Sequence, residues 1–226
     1  MCGRFASTSP PDALASYFGA EAPADSDDLP PDYNVAPTRD VATVRVRESG
    51  RHLDYLRWGL VPRWAKDLRI GSKMINARAE TVATKNAYRS AFKKRRCIVT
   101  ADGFYEWQRR DDGTKQPMFI HRSDGDPLAF AGLYEQWTDG ENLREIHTCT
   151  IITTAANDMM APIHDRMPVL LAPSSWDEWL DPNNDGVDEL QKLLTPAPNE
   201  LLCAYAVSTE VNNVRNNNAD LLEPQP

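Results

Sequence analysis

Short alternations of apolar and polar residues dominate the hydrophobic pattern of this chain, and long helical repeats are rare. VATVRVR (41–47) alternates strictly and HLDYLRWG (52–59) more loosely, so the two predict a hairpin. FYEWQRR (104–110) and PMFIHR (117–122) predict a second hairpin around an Asp-Gly turn. The first residues of the chain also read as a short strand, and further strands are predicted over 74–77, 97–102, 128–137, 146–154, 168–171 and 201–208.

The predicted helices are short and lie scattered between the strands. PPDALASYFG (10–19) has prolines at its start and a glycine at its end, the usual punctuation of a helix. Residues 80–92 carry Val82, Tyr88 and Phe92 at helical spacing. Further short helices are predicted over 154–163, 174–180 and 186–195, whereas the proline- and aspartate-rich stretch 21–38 predicts a loop.

This order of elements predicts the fold class. Many strands joined by short links, with helices dispersed among them, indicate an α+β fold with a largely antiparallel, barrel-like β-sheet core flanked by short helices. Its length of 226 residues fits a single domain over residues 1–226. The chain has no repeated βαβ unit and no glycine-rich phosphate loop, so we expect no nucleotide cofactor.

Composition narrows the class of protein. Hydrophobic residues make up 41 % and charged residues 26 % of the chain, which is typical of a soluble globular protein. No apolar run approaches the ~18 residues of a membrane helix, and no signal peptide is recognisable, so we expect a cytoplasmic protein without a membrane partner. The cysteines, at 2, 97, 149 and 203, form no C-x-x-C pair. We therefore expect no bound metal or other cofactor, and we interpret the last three as buried thiols.

Charge is segregated along the chain, although the net charge is -8. Residues 39–122 hold 20 Lys and Arg against 9 Asp and Glu, and the remainder holds 5 against 24. A basic segment of this kind is typical of a surface that binds a polyanion. The alternative is a solvated surface whose cations pair with acidic neighbours in the folded chain.

The start of the chain, MCGRFA, places a cysteine directly after the initiator methionine. Removal of Met1 would leave Cys2 with a free α-amine, of pKa ~8, beside a thiol of pKa ~8.5. Such a residue suits two chemistries. In an N-terminal-nucleophile hydrolase the amine activates its own thiol for attack on an amide. In an aldehyde trap the amine forms an imine and the thiol closes onto the same carbon, giving a thiazolidine. The structural alternative is a small apolar residue on a first strand.

Three further polar residues are candidates for chemistry. Glu106 lies among aromatic residues in GFYEW, where burial would raise the pKa of a carboxyl as a general acid or base requires. His164 has Asp165 and Arg166 beside it in IHDRMP, and Asn76 ends an apolar strand in INARAE. Each also has a structural interpretation: an ion pair for Glu106, a turn cap for His164 and a backbone contact for Asn76.

Eight motifs in order closely resemble the SOS response-associated peptidase (SRAP) family, whose members crosslink to abasic sites in single-stranded DNA. The resemblance covers nearly the whole chain: MCGRF, YNVAP, WGLVP, INARAET, CIVTADGFYEW, ITTAA, IHDRMPV and VNNVRN. It implies a monomeric sensor of abasic sites in single-stranded DNA that forms a thiazolidine crosslink through Cys2 after Met1 is removed. DNA lyase activity and autoproteolytic removal of Met1 are implied as side activities.

The resemblance also implies roles for individual residues. Cys2 would be the crosslinking residue, Asn76 would position its amine and the sugar, Glu106 would transfer protons, and His164 would assist opening of the sugar ring. DNA-binding positions would be Arg4, Asn34, Pro37, Pro62, Trp64, Arg78 and Arg166, with Trp64 and the two prolines stacking on bases. Two alternatives stay open: a thiol peptidase or amidohydrolase that uses Cys2, and a non-catalytic module that binds single-stranded DNA.

Overall fold

The computed structural model describes residues 2–23, 30–140 and 143–225. Within these residues it contains twelve strands and four short α-helices, joined by turns and 3₁₀ segments. The helices are α1 (Pro11–Phe18), α2 (Arg89–Lys94), α3 (Trp176–Leu180) and α4 (Val187–Lys192). The strands are β1 (Phe5–Ser7), β2 (Asp32–Val35), β3 (Asp40–Arg47), β4 (Gly50–Trp58), β5 (Asn76–Arg78), β6 (Arg96–Ala101), β7 (Gly103–Arg109), β8 (Lys115–Arg122), β9 (Leu128–Thr138), β10 (Glu145–Ala155), β11 (Arg166–Pro168) and β12 (Leu202–Ala206).

Five strands close into a barrel. β4 pairs with β3, β3 with β6, β6 with β9, β9 with β10, and β10 returns to β4. All of these pairings are antiparallel except that of β10 with β4. Closure leaves the ring of strands without an open edge. The prediction of an α+β fold with a largely antiparallel, barrel-like core is confirmed, whereas a single domain over residues 1–226 stays a prediction.

β10 extends beyond the barrel and carries one short strand on each side. β5 pairs with it in parallel, with Asn76 opposite Ile151, and β11 pairs antiparallel, with Arg166 opposite Ala155. The second sheet has the order β12-β8-β7-β1-β2. An apolar cluster that contains Phe5, Phe104, Phe130 and Ile151 joins this sheet to the barrel strands. The N-terminus and the end of β10 are therefore brought to the same part of the molecule.

Helices cover a second apolar cluster, and the buried Arg96 forms hydrogen bonds to the ends of two of these helices. Arg96 is 3 % exposed, and each hydrogen bond that its guanidinium donates within the described residues goes to a backbone carbonyl oxygen. The acceptors lie at the C-terminal ends of α2 and α3 and just beyond: Phe92 (2.8 Å), Lys93 (2.6 Å), Trp179 (2.6 Å), Asp181 and Asn184 (2.9 Å). These are carbonyls that a helix end leaves without an intrahelical partner. Arg96 therefore caps both helices at once, and burial lowers its pKa.

Three local predictions were wrong in part. The segment 21–38 contains strand β2, which pairs with β1, because an edge strand tolerates neighbouring prolines; residues 24–29 of this predicted loop lie outside the described residues. Helix α2, Arg89–Lys94, overlaps only the last four residues of the predicted helix over 80–92, and residues 80–88 form turns and a bend. Residues 154–163 form no helix, because β10 runs to Ala155 and the side chain of Asn157 then accepts a hydrogen bond from Met160 N.

None of the helices in the described parts of the chain has the length and apolar character needed to cross a membrane.

Candidate functional site

Cys2 lies directly before β1 and is fully buried. Burial raises the pKa of its thiol well above the usual range, and the nearby carboxylate of Glu106 raises it further. The backbone N–H of Arg4 hydrogen-bonds to the sulfur and favours the thiolate only weakly against these two effects. In this environment the Cys2 side chain is a neutral thiol that needs a proton acceptor before it can react as a thiolate.

Asn76 reaches Cys2 from the barrel side. Its Nδ2 donates a hydrogen bond to the backbone oxygen of Cys2 at 2.6 Å. The pairing of β5 with β10 fixes its backbone, and Tyr88 Oη donates to the Asn76 carbonyl oxygen at 3.3 Å. Asn76 Oδ1 is buried and accepts no hydrogen bond from the described residues. The amide of Asn76 thus presents an acceptor beside the backbone of Cys2.

Glu106 reaches the same place from the second sheet. It lies in the middle of β7, 3 % exposed, with Met118 opposite it on β8. Its charge acts on the Cys2 thiol, so the two side chains share one low-dielectric environment. Strand β7 approaches β8 closely at Gly103, where a Cβ would lie 2.2 Å from the ring of Phe119. Cys2, Asn76 and Glu106 thus lie near one another in the fold, and their catalytic roles stay predictions.

His164 lies in the turn that connects β10 to β11. Its Nδ1 accepts a hydrogen bond from the backbone N–H of Arg166 at 3.0 Å, and Asp165 Oδ1 lies 2.9 Å from the same nitrogen. These contacts require opposite protonation of Nδ1. The backbone N–H is an obligatory donor, whereas Asp165 is 87 % exposed and solvated, so we assign the lone pair to Nδ1 and the hydrogen to Nε2. In this tautomer the Nε2–H is the hydrogen-bond donor of the ring.

Arg166 is held by an acidic partner that the sequence prediction missed. Its guanidinium makes two hydrogen bonds to the Glu80 carboxylate and one to the Thr153 carbonyl oxygen at 2.7 Å. The hydrogen bonds from Arg166 lower the pKa of Glu80. Glu80 could have been found as the one carboxylate in INARAET, between two arginines of a basic segment. Arg78, in contrast, is exposed and forms no ion pair with the described residues.

Arg4 and Asn34 hold the closing motif VNNVRN. Arg4 Nη1 donates to Asn34 Oδ1 at 2.7 Å and to Val211 O at 2.9 Å. Asn34 is fully buried, and its Nδ2 donates to the carbonyl oxygens of residues 211, 213 and 216. The predicted role of Asn34 as a side chain that lines a DNA cleft therefore does not fit its burial. Through these hydrogen bonds both residues instead hold the C-terminal segment, residues 211–216, against the second sheet.

Trp64 is 61 % exposed on the turn after WGLVP. Two side chains of β9 hold this turn: Trp137 Nε1 donates to Ala65 O at 2.7 Å, and Glu135 accepts from Arg63 Nε at 2.9 Å. The exposed indole therefore sits on a fixed backbone, as a stacking platform requires. Pro62 is buried and Pro37 is half-buried, and stacking of these prolines on bases stays a prediction.

The basic segment keeps exposed cations after folding, although several arginines find acidic partners. Arg45 and Arg47 pair with Asp54, and Glu135 joins Arg63 to Arg95. The exposed cations of residues 66–94 that form no ion pair with described residues are Lys66, Lys73, Arg78, Lys85, Arg89, Lys93 and Lys94. Both interpretations of the charge pattern thus hold in part. In the described residues, no group of three or more His, Cys, Asp or Glu side chains is arranged to hold a metal ion.

Comparisons with known proteins place this arrangement in a family. The chain is 46 % identical over 223 residues to the abasic site processing protein YoqW of Bacillus subtilis (strain 168), with 99 % of each chain covered. It is 34 % identical over 231 residues to the abasic site processing protein YedK of Escherichia coli (strain K12), covering 99 % of this chain and 100 % of that one.

The fold is also similar to solved structures. The crystal structure of a protein from Bacteroides thetaiotaomicron superposes with a TM-score of 0.89 at 25 % sequence identity, covering 99 % of this chain and 100 % of that one. The model of the family described as SOS response associated peptidase (SRAP) matches residues 1–214. This protein therefore belongs to the SRAP family.

Proposed function

We propose that this protein processes abasic sites in single-stranded DNA by forming a covalent thiazolidine crosslink through Cys2 after Met1 has been removed. The observation that carries the proposal is the meeting of Cys2, Asn76 and Glu106 in one buried environment, where a free α-amine and a thiol would lie beside an amide and a carboxylate. The names of the relatives YoqW and YedK support abasic sites as the lesion that is processed.

The first step is imine formation. The α-amine of Cys2 attacks the aldehyde carbon of the ring-opened abasic sugar, forming a C–N bond, and loss of water gives the imine. Asn76 Oδ1, which has no donor among the described residues, is suited to accept a hydrogen bond from the amine and so orient its lone pair. The Glu106 carboxylate takes protons from the nitrogen and passes them to the oxygen, which departs as water, so Glu106 ends the step as a carboxylate.

The second step is ring closure by sulfur. Because burial raises the pKa of the Cys2 thiol, sulfur needs a base, and the Glu106 carboxylate shares its environment. The sulfur forms a C–S bond to the imine carbon, the π electrons move to nitrogen, and the thiol proton ends on that nitrogen. The product is a five-membered thiazolidine. Closure removes the imine through which β-elimination would cut the strand, so the lyase activity is a side reaction of incomplete closure.

His164 is suited to the abasic sugar and Arg78 to its phosphate. With Nδ1 occupied by the Arg166 backbone, the His164 Nε2–H is suited to donate a hydrogen bond to the ring oxygen as the abasic sugar opens. Arg78 supplies an exposed cation on β5, two residues beyond Asn76. Phosphate contacts of this kind give weak, salt-dependent binding, and the aldehyde supplies the selectivity.

The proposal is tested with mature wild-type protein and three single-stranded oligonucleotides that differ at one position. The first carries an abasic site, the second its tetrahydrofuran analogue, which has no aldehyde, and the third an intact base. We expect a shifted band on a denaturing gel for the first alone. A shifted band with the tetrahydrofuran analogue, or none with the abasic site, would refute an aldehyde-dependent crosslink.

Glu106→Gln is expected to slow crosslinking by about a hundredfold, the lower end of the usual contribution of a general acid-base residue. Glutamine keeps the size of the side chain but transfers no proton. The rate is measured by quenched gel assays at saturating protein. Glu145→Gln, at an exposed position on β10, serves as the matched control and should crosslink at the wild-type rate. Equal rates for both variants would remove Glu106 from the mechanism.

Trp64→Ala is expected to weaken reversible binding of single-stranded DNA by roughly 1 to 3 kcal/mol, the contribution of one aromatic–base stack. Binding is measured by fluorescence anisotropy with an intact oligonucleotide, so that no crosslink forms. Leu143→Ala, which removes another exposed apolar side chain, is the control and should bind as wild type does. An unchanged affinity for Trp64→Ala would show that the indole does not stack on DNA.

The same residues also suit autoproteolytic removal of Met1, because Asn76 and Glu106 lie near Cys2, the residue whose amine that cleavage would release. The family description as a peptidase supports this second candidate activity. Intact mass measurement of wild-type protein and of Glu106→Gln shows which process removes Met1. Met1 retained in Glu106→Gln alone supports self-cleavage, whereas Met1 removed from both proteins assigns the step to a separate aminopeptidase.

A further inference from the structure

A second cysteine with a histidine beside it lies away from the proposed crosslinking site. Cys203 is on β12 and His121 is directly opposite it on β8. Cys203 Sγ lies 3.1 Å from Nε2 of His121 and 3.7 Å from Nδ1, so the sulfur sits over the ring beside Nε2. Both residues are half-buried and therefore accessible to small molecules.

The orientation of the imidazole is fixed on several sides. Its Nδ1 lies 2.8 Å from the carbonyl oxygen of Arg122, which can only accept a hydrogen bond, so Nδ1 carries the hydrogen and Nε2 is left with its lone pair. The ring stacks on Phe119 at 5.7 Å and meets Tyr205 edge-on at 5.5 Å. The basic nitrogen is thereby the one nearer to the sulfur, and because the sulfur lies over the ring face, the Cys203 side chain rotates toward the ring plane to bring its proton to that lone pair.

The other cysteines are in different environments. Cys97 and Cys149 are fully buried, and burial raises the pKa of Cys97 to about 12 and that of Cys149 well above its usual value. Cys2 is fully buried as well. Cysteines that react with a small oxidant from solution are accessible and lie next to a base or a cation, whereas a fully buried thiol is shielded from such an oxidant. Only Cys203 combines access to solvent with an imidazole in contact.

We propose that Cys203, assisted by His121, is a redox-sensitive modification site that reacts with hydroperoxides. In the reaction, Nε2 of His121 takes the thiol proton and the sulfur attacks one oxygen of hydrogen peroxide. An S–O bond forms and the O–O bond breaks, and the leaving hydroxide takes the proton from the imidazolium and departs as water. Sulfur is oxidised by two electrons to the sulfenic acid, and the peroxide is reduced. Hydrogen peroxide fits the site because the sulfur is only partly exposed.

The proposal is tested on the full chain by adding hydrogen peroxide together with dimedone, which traps sulfenic acids, and mapping the label by peptide mass spectrometry. We expect the label on Cys203, with far less on Cys2, Cys97 or Cys149. His121→Phe keeps an aromatic ring against Phe119 but removes the base, and it should slow labelling of Cys203 by roughly tenfold. Label spread evenly over the four cysteines, or absent from Cys203, would overturn the proposal.

Two controls separate this site from the proposed function and from loss of structure. Mapping the wild-type protein needs no substitution, so it stays decisive if His121→Phe folds poorly. Cys203→Ser should lose the label while crosslinking abasic DNA at the wild-type rate. Unchanged labelling of Cys203 in a folded His121→Phe variant would show that the imidazole does not activate the thiol.

Discussion

Cys2→Ala is expected to abolish the thiazolidine crosslink completely while leaving a reactive amine at the mature terminus. Alanine is small enough for Met1 to be removed, so the α-amine still forms an imine with the abasic aldehyde. Without sulfur the imine cannot close. We therefore expect no stable band on a denaturing gel, a band that appears only after reduction with borohydride, and cleavage of the DNA strand by β-elimination from the open imine.

The Cys2 experiment combines an intact mass measurement with a matched cysteine control. Intact mass first establishes that both proteins begin at residue 2. Cys203→Ser is the matched cysteine control and should crosslink as wild type does. A crosslink in Cys2→Ala that is stable without reduction would contradict thiazolidine chemistry. An intact mass that keeps Met1 on active wild-type protein would contradict the participation of the Cys2 amine.

Arg96→Met is expected to reduce the free energy of unfolding by about 3 kcal/mol or more. Methionine fills similar space but leaves the carbonyl oxygens at the ends of α2 and α3 without a donor in a buried position. Hydrogen bonds from a charged donor contribute roughly 1.5 to 3 kcal/mol each, and they are not additive. For a chain of this size the loss corresponds to a fall in Tm of about 10 °C.

Urea unfolding followed by circular dichroism measures this effect. Arg109→Met, at an exposed position on β7, is the control and should change stability by less than about 0.5 kcal/mol. Arg96→Lys should fall between the two, because it keeps the charge but cannot reach the acceptors as a planar fork does. Equal stability of Arg96→Met and Arg109→Met would show that the carbonyl cap contributes little.

The local patterns predicted most strands correctly because the alternation of apolar and polar side chains along a strand is visible in consecutive residues. The hairpins β3–β4 and β7–β8 follow directly from alternation and turn residues. The helix α1 follows from its prolines and from Gly19, which takes a left-handed conformation at φ 60°. Where the local pattern misled, the deciding contact came from elsewhere: β2 exists because β1 pairs with it.

Other features depended on tertiary contacts that no local pattern contains. Arg96 reads as one more cation in KKRR, yet it is buried because two helix ends meet around it. Asn34 reads as a polar residue in YNVAP, yet the carbonyl oxygens of the closing segment bury it. Glu80 and Arg166 are 86 residues apart, so their ion pair required the pairing of β5 and β11 with β10.

The sequence alone determined the chemistry that is available to this protein: a terminal cysteine, a carboxylate among aromatic residues, and a histidine and an asparagine in motifs of one family. Side-chain chemistry is a property of each residue, so it can be identified before folding. Only the tertiary structure decided which groups share an environment, because burial, hydrogen-bond partners and pKa shifts depend on residues distant in the chain. In the folded chain Cys2 lies near Asn76 and Glu106. Asn34 and Pro62 are buried, and Cys203 contacts His121.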